Sequence, residues 1–104
     1  MEIEAIKELL EITELPVAYD HFNQQTEPPF LVYLLPESRN IIADDCVYQP
    51  KVLLRVELYT DRKDLEMERR VEDVLSDMIW TKTEEYIDSE KMYETIYEME
   101  VILE

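Results

Sequence analysis

The sequence predicts an α+β fold, a mainly antiparallel sheet with two helices on one face, in the order α-β-β-β-α-β-β. Three observations lead there. Two segments place apolar residues at three- and four-residue steps, the period of a helix that buries one side. Residues 51–60 and the stretch after Trp80 alternate with the period of two that a half-buried strand requires. Between them, Phe30–Leu35 is an almost continuous apolar run with proline at both ends, too short for a stable helix and suited to a buried strand.

In residues 2–14, Ile3, Ile6, Leu9, Leu10 and Thr13 form one stripe, and Glu2, Glu4, Glu8 and Glu11 lie toward the other side. Pro16 disfavours helix at Leu15, so this helix is expected to stop near Glu14. Val17–Phe22 reads as a short strand, then Asn23–Glu27 as a polar turn leading into the Phe30–Leu35 strand. A loop over Glu37–Asn40 and two short apolar stretches, Ile41–Ala43 and Cys46–Tyr48, follow.

In residues 51–60, Val52, Leu54, Val56 and Leu58 take one face, and Lys51, Arg55 and Glu57 take the other with Leu53 and Tyr59. Asp61 is the expected N-cap of a helix over about 62–79, with Leu65, Val71, Val74, Leu75, Met78 and Ile79 as its core stripe. Glu66/Arg70 and Arg69/Asp73 are spaced to form four-apart ion pairs. Thr81–Asp88 and Met92–Leu103 read as a hairpin turning at Asp88–Lys91. In its second arm Tyr93, Tyr97, Met99, Val101 and Leu103 share one face, while Glu94, Glu98 and Glu100 share the other with Met92, Ile96 and Ile102. That mixed face suits either a protein interface or a partly exposed strand face.

At 104 residues the chain fits one domain over 1–104, and 46% hydrophobic content sets it apart from disordered acidic tails. The net charge is −16. Four cations stand against eleven acids in the first sixty residues, and six against fifteen in the remainder, so the charge belongs to the whole folded surface. Such a surface repels phosphate backbones and anionic lipid, which points away from nucleic-acid and membrane binding. No stretch approaches the ~20 apolar residues of a membrane span. The N-terminus lacks the basic start and apolar run of a signal peptide, and the single Cys46 excludes an intrachain disulfide. Cytoplasm is the expected compartment.

Glycine is absent. Turns must therefore come from proline, asparagine, aspartate and serine, and glycine-dependent phosphate loops and nucleophile elbows are excluded in their usual form. His21, Cys46 and Asp44 or Asp20 contain the residue types of a hydrolytic trio, but no local motif joins them, and His21 reads as an exposed strand histidine. One Cys and one His do not furnish a zinc site. Asp44-Asp45 and the group Glu84, Glu85, Asp88 and Glu90 suit loose condensation of Mg²⁺ or Ca²⁺ and not a shaped site. No catalytic residue, metal or cofactor is expected. The seven tyrosines and the tryptophan lack a basic groove, so they read as packing and not as a base-stacking platform.

Read in order, Leu15–Tyr19, Pro28–Tyr33, Asn40–Asp44, Tyr48, Val56–Thr60 and Lys63-Asp64 resemble the small tail-completion, tail-terminator or minor-capsid proteins of siphophages and prophages of Gram-positive bacteria. The likeness spans roughly residues 3–80 and rests on folding-type residues. It implies a hexameric ring of identical subunits that caps the tail tube and joins it to the head. The ring would contact tail-tube and head–tail connector proteins and pass DNA through its lumen without binding it specifically. It also implies residence in the host cytoplasm during assembly and then in the virion tail. A negative lumen would let the genome slide. Met92, Glu94, Ile96, Glu98 and Ile102 are the candidate self-interface. Asn40, Ala43, Asp44 and Tyr48 match the family pattern without an assigned role. The competing expectation is an acidic inhibitor or DNA-mimic module that acts as a monomer on a basic partner.

Overall fold

The computed structural model describes residues 1–104. It contains α1 (Ile3–Glu11), β1 (Val17–Tyr19), β2 (Phe30–Ser38), β3 (Ile41–Ala43), β4 (Cys46–Gln49), β5 (Lys51–Thr60), α2 (Leu65–Val74), β6 (Thr81–Ile87) and β7 (Met92–Ile102). Five strands form one sheet in the order β1-β2-β5-β7-β6, and β3 and β4 form a separate two-stranded hairpin. Only the β1–β2 pairing is parallel. The α+β class and the helix–strand order expected from the sequence hold, with the β3–β4 hairpin as the addition.

Both helices lie on one face of the sheet. Ile6 and Leu10 of α1, Val71 of α2 and Leu75 at the C-cap of α2 pack on Leu31, Tyr33, Leu54, Val56, Leu58, Tyr97, Met99 and Val101 to form the core. Alternation explains the choice. Val56 pairs with both Tyr33 and Tyr97 in register, so the three strands bring their apolar sets to the same side. Each fully buried Leu or Ile contributes about 2 kcal/mol.

Several boundaries differ from expectation, each for a local reason. Strand β1 ends at Tyr19 because Asp20 turns to φ 66°. Strand β2 runs through Pro36 to Ser38, and the ladder with β5 shifts register between Leu34 and Glu37, where a bulge accommodates the missing N–H. Helix α2 starts later than Asp61, since it is Asp64 whose carboxylate accepts the Met67 N–H at 3.2 Å. It ends at Val74 in a series of turns. Leu65 and Ile79 therefore lie outside the core, at 64% and 96% exposure. Neither expected four-apart ion pair closes: Arg70 instead donates to the Thr13 carbonyl at 3.2 Å and ties α2 to the end of α1.

With no glycine available, Glu14, Asp20, Asp44, Asp45 and Lys91 occupy the left-handed region. Helix α1 ends through this device: Thr13 and Glu14 amides bond Leu10 and Glu11 carbonyls, and Glu14 at φ 66° reverses the chain. Glu14→Gly is expected to raise stability by about 1 kcal/mol, because glycine adopts this conformation without the Cβ clash. Urea unfolding checks this; an unchanged or lower midpoint would contradict it.

Candidate functional site

The feature that departs most from a closed globule is the β3–β4 arm. Its register is Ile41↔Gln49, Ile42↔Val47 and Ala43↔Cys46, with Asp44 and Asp45 forming the two-residue turn at φ 53° and 61°. Consecutive left-handed residues give the turn whose twist matches a hairpin, and aspartate tolerates that region better than most non-glycine residues. Strands β3 and β4 pack substantially only on each other. Ile42 (69%), Val47 (53%) and Tyr48 (74%) are exposed, and Ile42 faces Val47 across the hairpin.

The root of the arm is held firmly. Arg39 N–H donates to the Lys51 carbonyl, and Lys51 N–H donates to Asn40 Oδ1 at 3.1 Å. Arg39 also pairs with Glu37 and, at 3.1 Å, with Glu100; Lys51 Nζ lies 3.0 Å from the same Glu100 carboxylate. These cations hold the Glu100 carboxyl below the usual range, with the Lys51 hydrogen bond the largest cause. The family-pattern residues thus take structural places in one object. Asn40 pins the root, the Ala43 carbonyl accepts from Cys46 Sγ at 3.3 Å, Asp44 makes the turn, and Tyr48 is displayed.

The second feature is the face of the sheet that carries no helix. Glu57, Tyr59 and Glu94 meet there. The Tyr59 hydroxyl lies 2.8 Å from Glu57 Oε1 and 2.8 Å from Glu94 Oε2. One hydroxyl proton cannot serve two carboxylates, so the cluster favours retaining an extra proton. Burial, and then the neighbouring Glu94 charge, push the Glu57 carboxyl up against the lowering pull of Tyr59 and Arg55. Burial and both carboxylates push the Tyr59 phenol up as well. Arg55 Nε lies 3.2 Å from Glu57 Oε2 without the alignment of a hydrogen bond.

This face changes the candidate self-interface. Ile96 and Glu94 are 5% and 8% exposed, closed over by their cross-strand neighbours, so they do not present side chains to another molecule. Met92 and Glu98 are half-buried, and only Ile102, at 42%, is open. The mixed composition has a third explanation, a sheet face whose side chains close over one another.

A third feature lies at the end of this sheet. Strand β6 begins at Thr81 opposite Glu98, whereas β7 continues to Ile102. Residues Met99–Val101 are paired to β5 on one side and face no strand on the other. An open cavity of about 830 Å³ occupies that position, lined by apolar Met78, Ile79 and Ile102 and by charges of both signs, Arg39 and Lys51 with Asp77, Glu98 and Glu100.

The hydrolytic trio is not assembled. His21 Nδ1 sits 2.8 Å from Asp20, both exposed, and no hydrogen bond links His21 to Cys46. No group of three or more His, Cys, Asp or Glu side chains converges as a metal site. Lys63 bonds Glu84, and Lys91 bonds Asp88 at 3.2 Å, so the acids of that group are partly neutralised by lysine. Sequence reasoning missed the arm as a unit, although Asp44-Asp45 between two apolar triplets was its signal. No known family model matches the chain, and no curated protein sequence matches it.

Proposed function

We propose that the chain is a structural subunit of a long-tailed phage or prophage particle, assembling as a hexameric ring that terminates the tail tube and joins it to the head connector. The observation that carries this reading is the exposed arm. The segment singled out by the tail-terminator resemblance, Asn40–Tyr48, is an apolar hairpin anchored at its root and unpacked along its length. An isolated two-stranded hairpin is marginal in water, and exposed apolar groups clustered on one element mark a surface used by another protein. The acidic exterior fits a role beside DNA that must move freely, since like charge keeps the duplex from adhering. Assembly would occur in the host cytoplasm and the product would reside in the virion tail.

The test is end-capping. Purified subunit carrying a gold-binding tag is mixed with tail tubes of the same phage or prophage that lack their terminator. Label at one end of most tubes is expected in electron micrographs. Label along the tube wall, or none, would count against the terminator role.

The net charge of −16 favours a second reading, an acidic module that blocks a basic host protein. That reading expects a monomer whose binding to a cationic partner weakens steeply with added salt.

A further inference from the structure

We propose that the open strand position beside Met99–Val101 receives the β3–β4 arm of a second copy of this chain, so that each subunit donates an arm and accepts one. This deepens the ring reading above and rests on it.

Geometry defines the acceptor. The position is bounded at one end by Thr81, where β6 starts, and at the other by Met1, whose amino group donates to the Ile102 carbonyl at 2.8 Å. Between them is room for a strand of about three or four residues, the length of β3 (three) and β4 (four). An added strand would pair with the free edge of β7 through backbone hydrogen bonds, while Met78 and Ile79 line the space its side chains enter. Ile79, 96% exposed, gains cover only from outside its own subunit.

Charge defines the donor. Two copies at −16 repel over most of their surfaces, but residues 40–50 carry no charge except Asp44 and Asp45 at the tip. The arm is thus the part that approaches another acidic copy at least cost, although the acceptor sets Asp77, Glu98 and Glu100 against Arg39 and Lys51 and so offers the acidic tip no net attraction. Those two cations are shared with Glu37 and Glu100, so backbone pairing and apolar burial supply most of the attraction. Donor and acceptor are different surfaces of one chain. Such a contact is head-to-tail and closes into a ring when the rotation per step permits.

Cys46, exposed on β4, supplies a native probe. Ile79→Cys places a second thiol in the acceptor at a position whose exposure makes the change harmless to the core. Diamide, which takes up the two electrons and two protons released per disulfide, is the oxidant. The expected result is a non-reducing ladder reaching hexamer, where the parent with Cys46 alone stops at dimer. Adding Val47→Asp on the exposed arm should cut the ladder at least tenfold at equal concentration. Glu8→Cys, exposed on α1, is the control for random collision. Oligomers in sedimentation with an Ile79→Cys ladder no stronger than the control would overturn arm exchange and leave the ring standing. A monomer at every concentration would overturn both.

Discussion

Replacing Glu68 by alanine is expected to lower the folding free energy by about 2–3 kcal/mol, the largest single-residue effect outside the apolar core. The Glu68 side chain is 3% exposed between two cations, with Lys63 Nζ 2.7 Å from one oxygen and Lys82 Nζ 3.0 Å from the other. Burial pushes this carboxyl up, and the two lysines more than offset it, leaving it below the ordinary value of 4.5. Lys82 also bonds Glu72 at 2.8 Å, and Glu72 accepts from the buried Tyr97 hydroxyl at 2.8 Å. The network thereby joins α2, β6 and β7 around the largest fully buried side chain. Each lysine keeps a second carboxylate after the substitution, Glu84 or Glu72, which holds the loss below that of a stranded buried charge. Because the folded-state value of Glu68 is lowered, its contribution is present above pH 4.5 and disappears as pH falls through that lowered value. Chemical denaturation at pH 7 checks the magnitude. A loss under roughly 0.5 kcal/mol would mean that the bridge is solvated and contributes no more than a surface pair.

Glu57→Gln is expected to act in the opposite direction, stabilising the fold by about 1 kcal/mol at pH 7–8. Glu57 faces Glu94 across the Tyr59 hydroxyl, and its folded-state value is raised above 4.5, by burial first. The folded chain therefore holds this proton more tightly than the unfolded one. Its favourable contribution is whole below pH 4.5 and is lost as pH rises through the raised value. A glutamine removes the like-charge repulsion and can donate to Glu94, so the difference between variant and parent should open as pH rises from about 4 to 8. The cost is the contact of Arg55 with Glu57 at 3.2 Å. Urea midpoints across that range decide the matter. A difference independent of pH would show that the cluster holds no extra proton, and destabilisation at pH 7 would show that the Arg55 contact outweighs the repulsion.

What the sequence made legible follows the strength of its periodicity. Strand β5 matches its expected bounds, since Val52, Leu54, Val56 and Leu58 leave little choice of face, and the two faces of β7 divide as alternation requires. Helix ends were less legible because Asp61 and Asp64 are both competent caps, and only the reach of a carboxylate to Met67 N–H separates them. Pro36 suggested a strand end, but a proline at a bulge need not end one.

The candidate site was legible only in part. Asn40, Ala43, Asp44 and Tyr48 were marked by resemblance, yet their common membership of one arm depends on a turn without glycine, the usual signal. Pairing registers are invisible in a single sequence. Thus Glu57 and Glu94, 37 positions apart, could not be seen to share Tyr59, and the end of β7 could not be seen to outrun β6. Glu94 and Ile96 were assigned outward on alternation alone, which identifies a face but not what its neighbours cover.

Sedimentation equilibrium of the purified chain across micromolar to millimolar concentration tests self-assembly most directly. A closed species of six times the 12.6 kDa chain mass, reached without larger polymers, is expected. A single 12.6 kDa species over the whole range would contradict it and move the weight to an acidic module that works alone.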